Sequence, residues 1–336
     1  MGSDLMLTSD RPGLNVLIIG CGNIAGAFDL GQRPDAQPYT HAGAYTKDGR
    51  FTISACVEPD ETRRHAFMAA WGVPLGFSAM DELSAYVERF DVISICSPTI
   101  CHGTDLEMAL HLKPKLVFCE KPVTLSLAET ERLVQTGVNF QIPIAVNYTR
   151  RWDPEVLQLR EQMLAGSWGV LRSVVGIYNK GILNNGSHML DLLHLLVGNM
   201  NLIKAGRAVY DYFPNDPTIP LWLESEQGVP VHLACADAGD YALAEFQFIF
   251  SHGVLTMENG GLFWRERRVV ESDTFKGYRT LDEGLRRPGK LSDAMLAAVD
   301  NIYRVLTSGD ALASTGATAF ATQRLCQQAL QMAERC

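Results

Sequence analysis

Residues 14–28 read LNVLIIGCGNIAGAF. The run up to Gly20 is short, continuously apolar and rich in β-branched residues, which describes a strand buried on both faces. Gly20-Cys21-Gly22-Asn23-Ile24-Ala25 then has the form G-x-G-x-x-A and is expected to open a helix. In a strand–turn–helix setting this is a dinucleotide-binding turn. Gly20 permits the tight bend, and Gly22 lets the backbone N–H groups around Asn23 and Ile24 approach a pyrophosphate. The small residue at 25 lets the helix lie close to its strand. The helix N-terminus adds the positive end of a dipole.

Working outward, the same rhythm repeats. TISACV (52–57), DVISICS (91–97), KLVFCE (115–120) and IPIAVN (142–147) read as strands, with helical patterns at about 61–71, 103–112 and 126–138 between them. Strands alternating with helices imply a doubly wound parallel sheet, an α/β domain over residues 1–150. After Tyr148–Asp153 the pattern changes. A helix (154–165), the strand LRSVVGIY (171–178), the apolar helix NGSHMLDLLHLLVG (185–198), mostly strands over 202–275, and helices at 291–307 and about 316–335 follow. Residues 151–336 are therefore read as an α+β domain on a large, mostly antiparallel open sheet.

The 336 residues are 47% apolar and 20% charged, the composition of a globular two-domain chain. A net charge of −9 excludes the basic face that nucleic acid requires. No apolar stretch reaches the roughly 18 residues of a membrane span. The eight cysteines are scattered without a C-x-x-C pair, and the opening MGSDLMLTSDRPG has no secretory pattern. A reduced, cytoplasmic protein is expected.

In such a sheet ligands lie at the carboxyl ends of the strands, and those ends carry the polar residues. Glu58 closes the second strand, where an acid accepts the ribose hydroxyls of the adenosine. It lies beyond the usual spacing of about 20 residues because the Pro/Gly/Asp-rich stretch 29–40 reads as an inserted loop. This acid favours NAD over NADP, although Arg63 and Arg64 lie close by in sequence. Ser97 and Pro98, with His102, end the strand DVISICS; Glu120, Lys121 and Pro122 end KLVFCE. A surface turn is the plain reading of each, but their shared edge places Lys121 in the nucleotide crevice. In the second domain Asn184, His188 and Asp191 fall at i, i+4 and i+7 on an otherwise apolar helix, a polar stripe facing a cavity or a satisfied core. His188, Asp191 and His194 have no further ligand cluster beside them, so no metal is expected. Tyr148, Arg150, Arg151, Tyr178 and Lys180 are candidates to line the same cleft.

Together GCGNIAGAF, VEPD, SICSPTICH, FCEKP, VNYTRRWDP, NGSHMLDLLHLLVG and ALASTGATAFATQRL resemble the glucose-fructose oxidoreductase / inositol dehydrogenase / rhizopine-catabolism (Gfo/Idh/MocA) family over nearly the whole chain. The resemblance implies a Rossmann domain and an open-sheet domain. It also implies a homodimer or homotetramer through that sheet, and NAD(P)-dependent oxidation or reduction of a sugar, sugar nucleotide or cyclitol. It carries the catalytic lysine to Lys121 and the proton-transferring histidine to His188. The acid often found four residues earlier is Asn184 here, which can orient but not titrate. An unperturbed imidazole titrates near 6.5, so His188 needs no carboxylate partner to work near neutrality. YNKGILNNGSH (178–188) is also similar to members in glycan biosynthesis. Two alternatives stay open: net epimerisation or elimination with a tightly held NAD, and a catalytically silent sugar- or nucleotide-binding regulator.

Overall fold

A computed structural model describes residues 13–33, 35–85 and 89–334. The opening stretch read for a secretory signal lies, but for Gly13, outside them. Strands β1 (Leu14–Ile19), β2 (Phe51–Val57), β3 (Leu75–Phe77), β4 (Val92–Ile95), β5 (Leu116–Cys119) and β6 (Ile144–Val146) form one parallel sheet in the order β3-β2-β1-β4-β5-β6. The reversal of order beside β1 opens a crevice at the carboxyl ends of β1 and β4. Helices α1 (His41–Asp48), α2 (Glu61–Trp71), α3 (His102–His111) and α4 (Leu127–Phe140) cover the sheet, whose central strands are buried on both faces.

One local expectation is corrected. The helix opened by the glycine turn does not run on from Ile24. Gly26 and Phe28 donate N–H bonds back to the Gly22 and Asn23 carbonyls, and the chain then leaves as a loop. Pro, Gly and Asp in that loop cannot sustain a helix. Asp29 gathers it by accepting bonds from the Tyr39 and Thr40 N–H groups and the Thr40 hydroxyl. His41 and Ala42 then donate to the Ile24 and Ala25 carbonyls at 3.2 and 2.8 Å, so α1 resumes the interrupted helix.

After α5 (Pro154–Leu164) come β7 (Leu171–Tyr178), a wide π-helical turn (Gly181–Gly186) and α6 (Ser187–Leu196). The α-helical part of the apolar segment thus begins at Ser187, two residues later than its sequence pattern. Next are β8 (Met200–Ala205), the small hairpin β9 (Val209–Phe213) and β10 (Asp216–Thr218), β11 (Leu221–Ser225), β12 (Pro230–Cys235), β13 (Ala244–Phe250), β14 (Gly253–Glu258), β15 (Phe263–Glu271), β16 (Arg279–Leu281) and β17 (Leu285–Pro288). Except for β9 and β10, these strands make a nine-stranded sheet, order β16-β15-β14-β13-β7-β12-β11-β8 with β17 on β15, antiparallel at every pairing but β7 with β12. Alternation is clean: Val174, Leu223, Leu233, Phe246 and Phe248 are buried under α6, while Val175, Ile177 and Trp222 on the other face stay partly exposed.

Two closing helices tie the halves together. Met295, Ala298, Val299 and Ile302 of α7 (Ala294–Ser308) pack with Val16, Ile18 and Phe118 of the first sheet. In α8 (Gly316–Ala333), Leu325, Cys326 and Ala329 join the second core, while Gln323 bonds the Thr124 carbonyl and the Thr130 hydroxyl of the first domain. No helix among the described residues is long and apolar enough to cross a membrane.

Candidate active site

Gly20 has φ +83°, and a Cβ there would lie 2.5 Å from the Ser97 nitrogen, so only glycine lets the ends of β1 and β4 meet. Nothing lies within 4 Å of where a Gly22 Cβ would stand. Among the described residues the N–H groups of Gly22, Asn23 and Ile24 meet no protein acceptor. A turn with open space over unpaired donors fits a dinucleotide pyrophosphate. Glu58 sits beside it, nearly buried, with its carboxylate already in use. It accepts from the Cys21 N–H at 2.9 Å, the Asp60 N–H at 3.1 Å and the Arg63 guanidinium at 3.2 Å, while Arg64 bonds its carbonyl. Glu58 therefore braces the glycine turn.

The loops after β4 and β5 are fastened to each other. His102, buried at the start of α3, has Nδ1 2.7 Å from the Pro122 carbonyl and Nε2 2.9 Å from the Ser97 carbonyl. The Ser97 hydroxyl donates to Asp105 at 2.5 Å. Pro98 begins the short turn into α3, and the Lys121–Pro122 bond is cis. His102 and Ser97 thus shape the crevice wall.

Glu120 turns back into the first domain. Its Oε1 lies 3.0 Å from His41 Nε2 and accepts from Asn147 Nδ2 at 2.6 Å; His41 continues to the Ser94 hydroxyl, which meets the Tyr45 hydroxyl at 2.8 Å. Bonds to His41 and Asn147 hold its carboxyl below the usual range although burial opposes them. Lys121 points the other way and donates from Nζ to Asn184 Oδ1 at 3.1 Å, bridging the domains. Burial pushes its ammonium pKa down, and the negative charges of Glu120 and Asp216 oppose that shift.

His188 stands one helical turn beyond Asn184. Its Nδ1 is buried with no hydrogen-bond partner among the described residues, and its ring meets Tyr148 edge to face at 5.6 Å. Burial, with Lys121 and Arg150 nearby, lowers the imidazole well below 6.5. The unperturbed value assumed from sequence is thus shifted downward, and the imidazole is held neutral at pH 7. Arg150 is half-buried, bonds the Gly260 carbonyl from Nε at 2.9 Å, and is itself lowered by burial.

Other sequence candidates lie elsewhere. Arg151 is buried, its Nε 2.8 Å from both Asp191 oxygens, so these two residues form an internal ion pair and do not face the cleft. Tyr178 is fully buried, its hydroxyl bonded to the carbonyl and N–H of Ile219. Both were attractive because polar tips beside an apolar helix look available, whereas tertiary partners consume them. Lys180 sits at the head of the π-helical turn with its ammonium 4.9 Å from the centre of the Tyr212 ring. Three residues escaped the sequence reading: His41, Asn147 and Asp216. The first two reach Glu120 from 79 and 27 residues away, and no local pattern marks such pairings. Asp216 had a faint signal, an acid in the turn-rich segment YFPNDPT.

Residues 14–148 match the family described as "Oxidoreductase family, NAD-binding Rossmann fold" (Gfo/Idh/MocA). This match covers the first domain, up to the segment where the parallel sheet ends. It is 34% identical over 128 residues to an inositol 2-dehydrogenase of Leifsonia xyli subsp. xyli (strain CTCB07), covering 38% of this chain and 37% of that protein. With the D-glucoside 3-dehydrogenase of Escherichia coli (strain K12) it shares 23% identity over 269 residues, 75% of this chain and 69% of that protein. In three dimensions it is similar to the WlbA dehydrogenase from Bordetella pertussis, solved in complex with NADH and UDP-GlcNAcA. The TM-score is 0.75 at 16% identity, over 96% of this chain and 97% of that one. This last likeness is one of fold.

Proposed function

We propose that the protein is an NAD-dependent dehydrogenase acting on a secondary alcohol, or the matching ketone, of a sugar, sugar nucleotide or cyclitol. One observation carries the reading: at the same sheet edge as the open glycine turn, Lys121 reaches across the domain boundary to Asn184, one turn before a half-buried, neutral His188 whose Nδ1 is enclosed. A nicotinamide held there would supply the hydride-accepting chemistry for the carbinol carbon. The Lys121 ammonium stabilises the developing alkoxide, and its partial burial strengthens the action of its charge. His188 takes the hydroxyl proton, directly or by relay. Asn184 holds Lys121 in place, and Tyr148 packs against the His188 ring. Arg150 contributes a substrate-facing cation. Gly20, Gly22, Asn23, Ile24 and Glu58 hold the dinucleotide, and Glu58 disfavours the 2′-phosphate of NADP by charge. The half-exposed apolar residues on the open face of the large sheet support pairing with a second copy.

The test is a panel of sugars, cyclitols and nucleotide sugars, each incubated with the protein and NAD and followed at the reduced-nicotinamide absorbance band. At least one panel member should give turnover that Lys121→Met lowers about 10²–10³-fold while NAD affinity changes only a few-fold. Tight NAD binding with no turnover of any panel member would refute the reading.

A further inference from the structure

We propose that Asp216 is a positioning residue for Lys121: holding Asn184, it brings the carboxylate charge that the half-buried ammonium needs and that its direct partner lacks. This rests on the dehydrogenase reading above. The direct partner of Lys121 Nζ is an amide oxygen, Asn184 Oδ1, which carries no formal charge. An ammonium withdrawn from water is costly unless an opposite charge lies near. Glu120, adjacent in sequence, also acts on Lys121 by its charge, but its Oε1 is held by His41 and Asn147 in the first domain, so it does not hold the residue that Lys121 bonds.

Asp216 comes from the second domain, at the head of β10. Its Oδ1 accepts the Leu183 N–H at 2.8 Å and its Oδ2 accepts the Asn184 N–H at 2.9 Å. The carboxylate therefore holds the backbone of the residue that holds Lys121. The turn is shaped to admit it: Gly181 has φ +84°, and a Cβ there would collide with the Asp216 carboxylate. The neighbouring Asp211 grips the same turn through the Lys180 N–H at 2.9 Å, and Asp216 is among the charges that act on Lys121. The influence is mutual, since Lys121 draws the Asp216 carboxyl down against the upward push of burial. A clamp alone needs only an acceptor. Two acids on one turn, one of them interacting with the ammonium, indicate that Asp216 adds charge as well as a hold.

The test uses the full chain as wild type, Asp216→Asn, Asn184→Asp and the double variant. Lys121 is titrated by ¹³C NMR after reductive methylation, its signal assigned with Lys121→Met, and turnover is measured against pH. Asp216→Asn should lower kcat about 10–100-fold, the loss of a hydrogen bond to a charged group. It should also move the Lys121 titration and the alkaline limb of the pH–rate profile to lower pH. The double variant should recover both, because Asn184→Asp puts the carboxylate on Lys121's own partner. A loss that the double variant does not recover, with an unmoved Lys121 titration, overturns the proposal. If Asp216→Asn does not fold, Asn184→Asp alone decides. With the charge already supplied it gains less than about threefold, whereas a gain of about tenfold or more overturns the proposal. If the wild type turns over no substrate, the dehydrogenase reading has failed, and the Lys121 titration still decides the role of Asp216.

Discussion

Replacing Arg151 by Met separates its sequence role, a substrate cation, from its structural one. The guanidinium Nε lies 2.8 Å from both Asp191 oxygens, and Nη1 reaches the Ala313 carbonyl at 3.4 Å, so it joins the interdomain segment to α6 and to the approach of α8. Without it the only side-chain hydrogen bond left to the Asp191 carboxylate among the described residues is from the Thr322 hydroxyl at 3.3 Å. Removing one partner of a buried pair costs about 3–5 kcal/mol. At roughly 2–4 °C per kcal/mol for chains of this order, the melting temperature should fall by about 6–20 °C. The pH dependence has a definite sign. Burial already raises the Asp191 carboxyl to about 6, and losing the guanidinium raises it further. A carboxyl whose folded pKa exceeds its unfolded value binds a proton on folding, so it contributes stability at low pH that is lost as pH rises through that window. Arg151→Met should therefore be destabilised more at pH 8 than at pH 5. Arg151→Met with Asp191→Leu should recover most of the loss, since an apolar pair leaves no charge uncompensated. Thermal melts followed by circular dichroism, beside steady-state kinetics, measure this. A melting temperature within about 2 °C of wild type with a raised KM would return Arg151 to the substrate site and refute the argument.

The pH–rate profile of kcat/KM should have its acid limb below 6.5, because the folded protein holds His188 neutral to lower pH, and an alkaline limb below 10.5 from Lys121; Lys121→Arg should remove the alkaline limb, and a limb still present there would assign it to another group. Gly22→Ala adds a methyl in open space, so stability should change by no more than about 0.5 kcal/mol while dinucleotide affinity falls at least about tenfold; unaltered NAD binding by calorimetry would count against the glycine cradle. Gly20→Ala, by contrast, should lower the melting temperature measurably, since its Cβ meets the Ser97 backbone and φ is +83°. Glu58→Gln should narrow the preference for NAD over NADP by about tenfold, the loss of one charge facing a phosphate; titrating both cofactors reads it, and an unchanged ratio would place selectivity on Arg63 and Arg64.

The alternation of apolar runs with helical periods determined the parallel sheet, because a strand buried on both faces can be written only one way in composition. The G-x-G-x-x-A turn and the polar residues after 57, 96 and 119 likewise placed one edge of that sheet as the ligand edge, since strand ends are local features. The π-helical turn before α6 and the break between Ile24 and His41 were not legible. Both depend on where N–H groups find acceptors once the chain has folded back, as His41 does on Ile24. The roles of the polar residues divided the same way. Lys121 and His188 stood out as candidates because each sits at a strand end or on an apolar helix where its type is costly. Arg151, Tyr178, Glu120 and Asp216 could not be sorted, for a buried polar group is defined by its partner. Those partners, Asp191, Ile219, His41 and the Asn184 backbone, lie 40, 41, 79 and 32 residues away. Only tertiary structure brings such pairs together, and the cost of leaving any of them unpaired in a dry interior makes their pairing decisive.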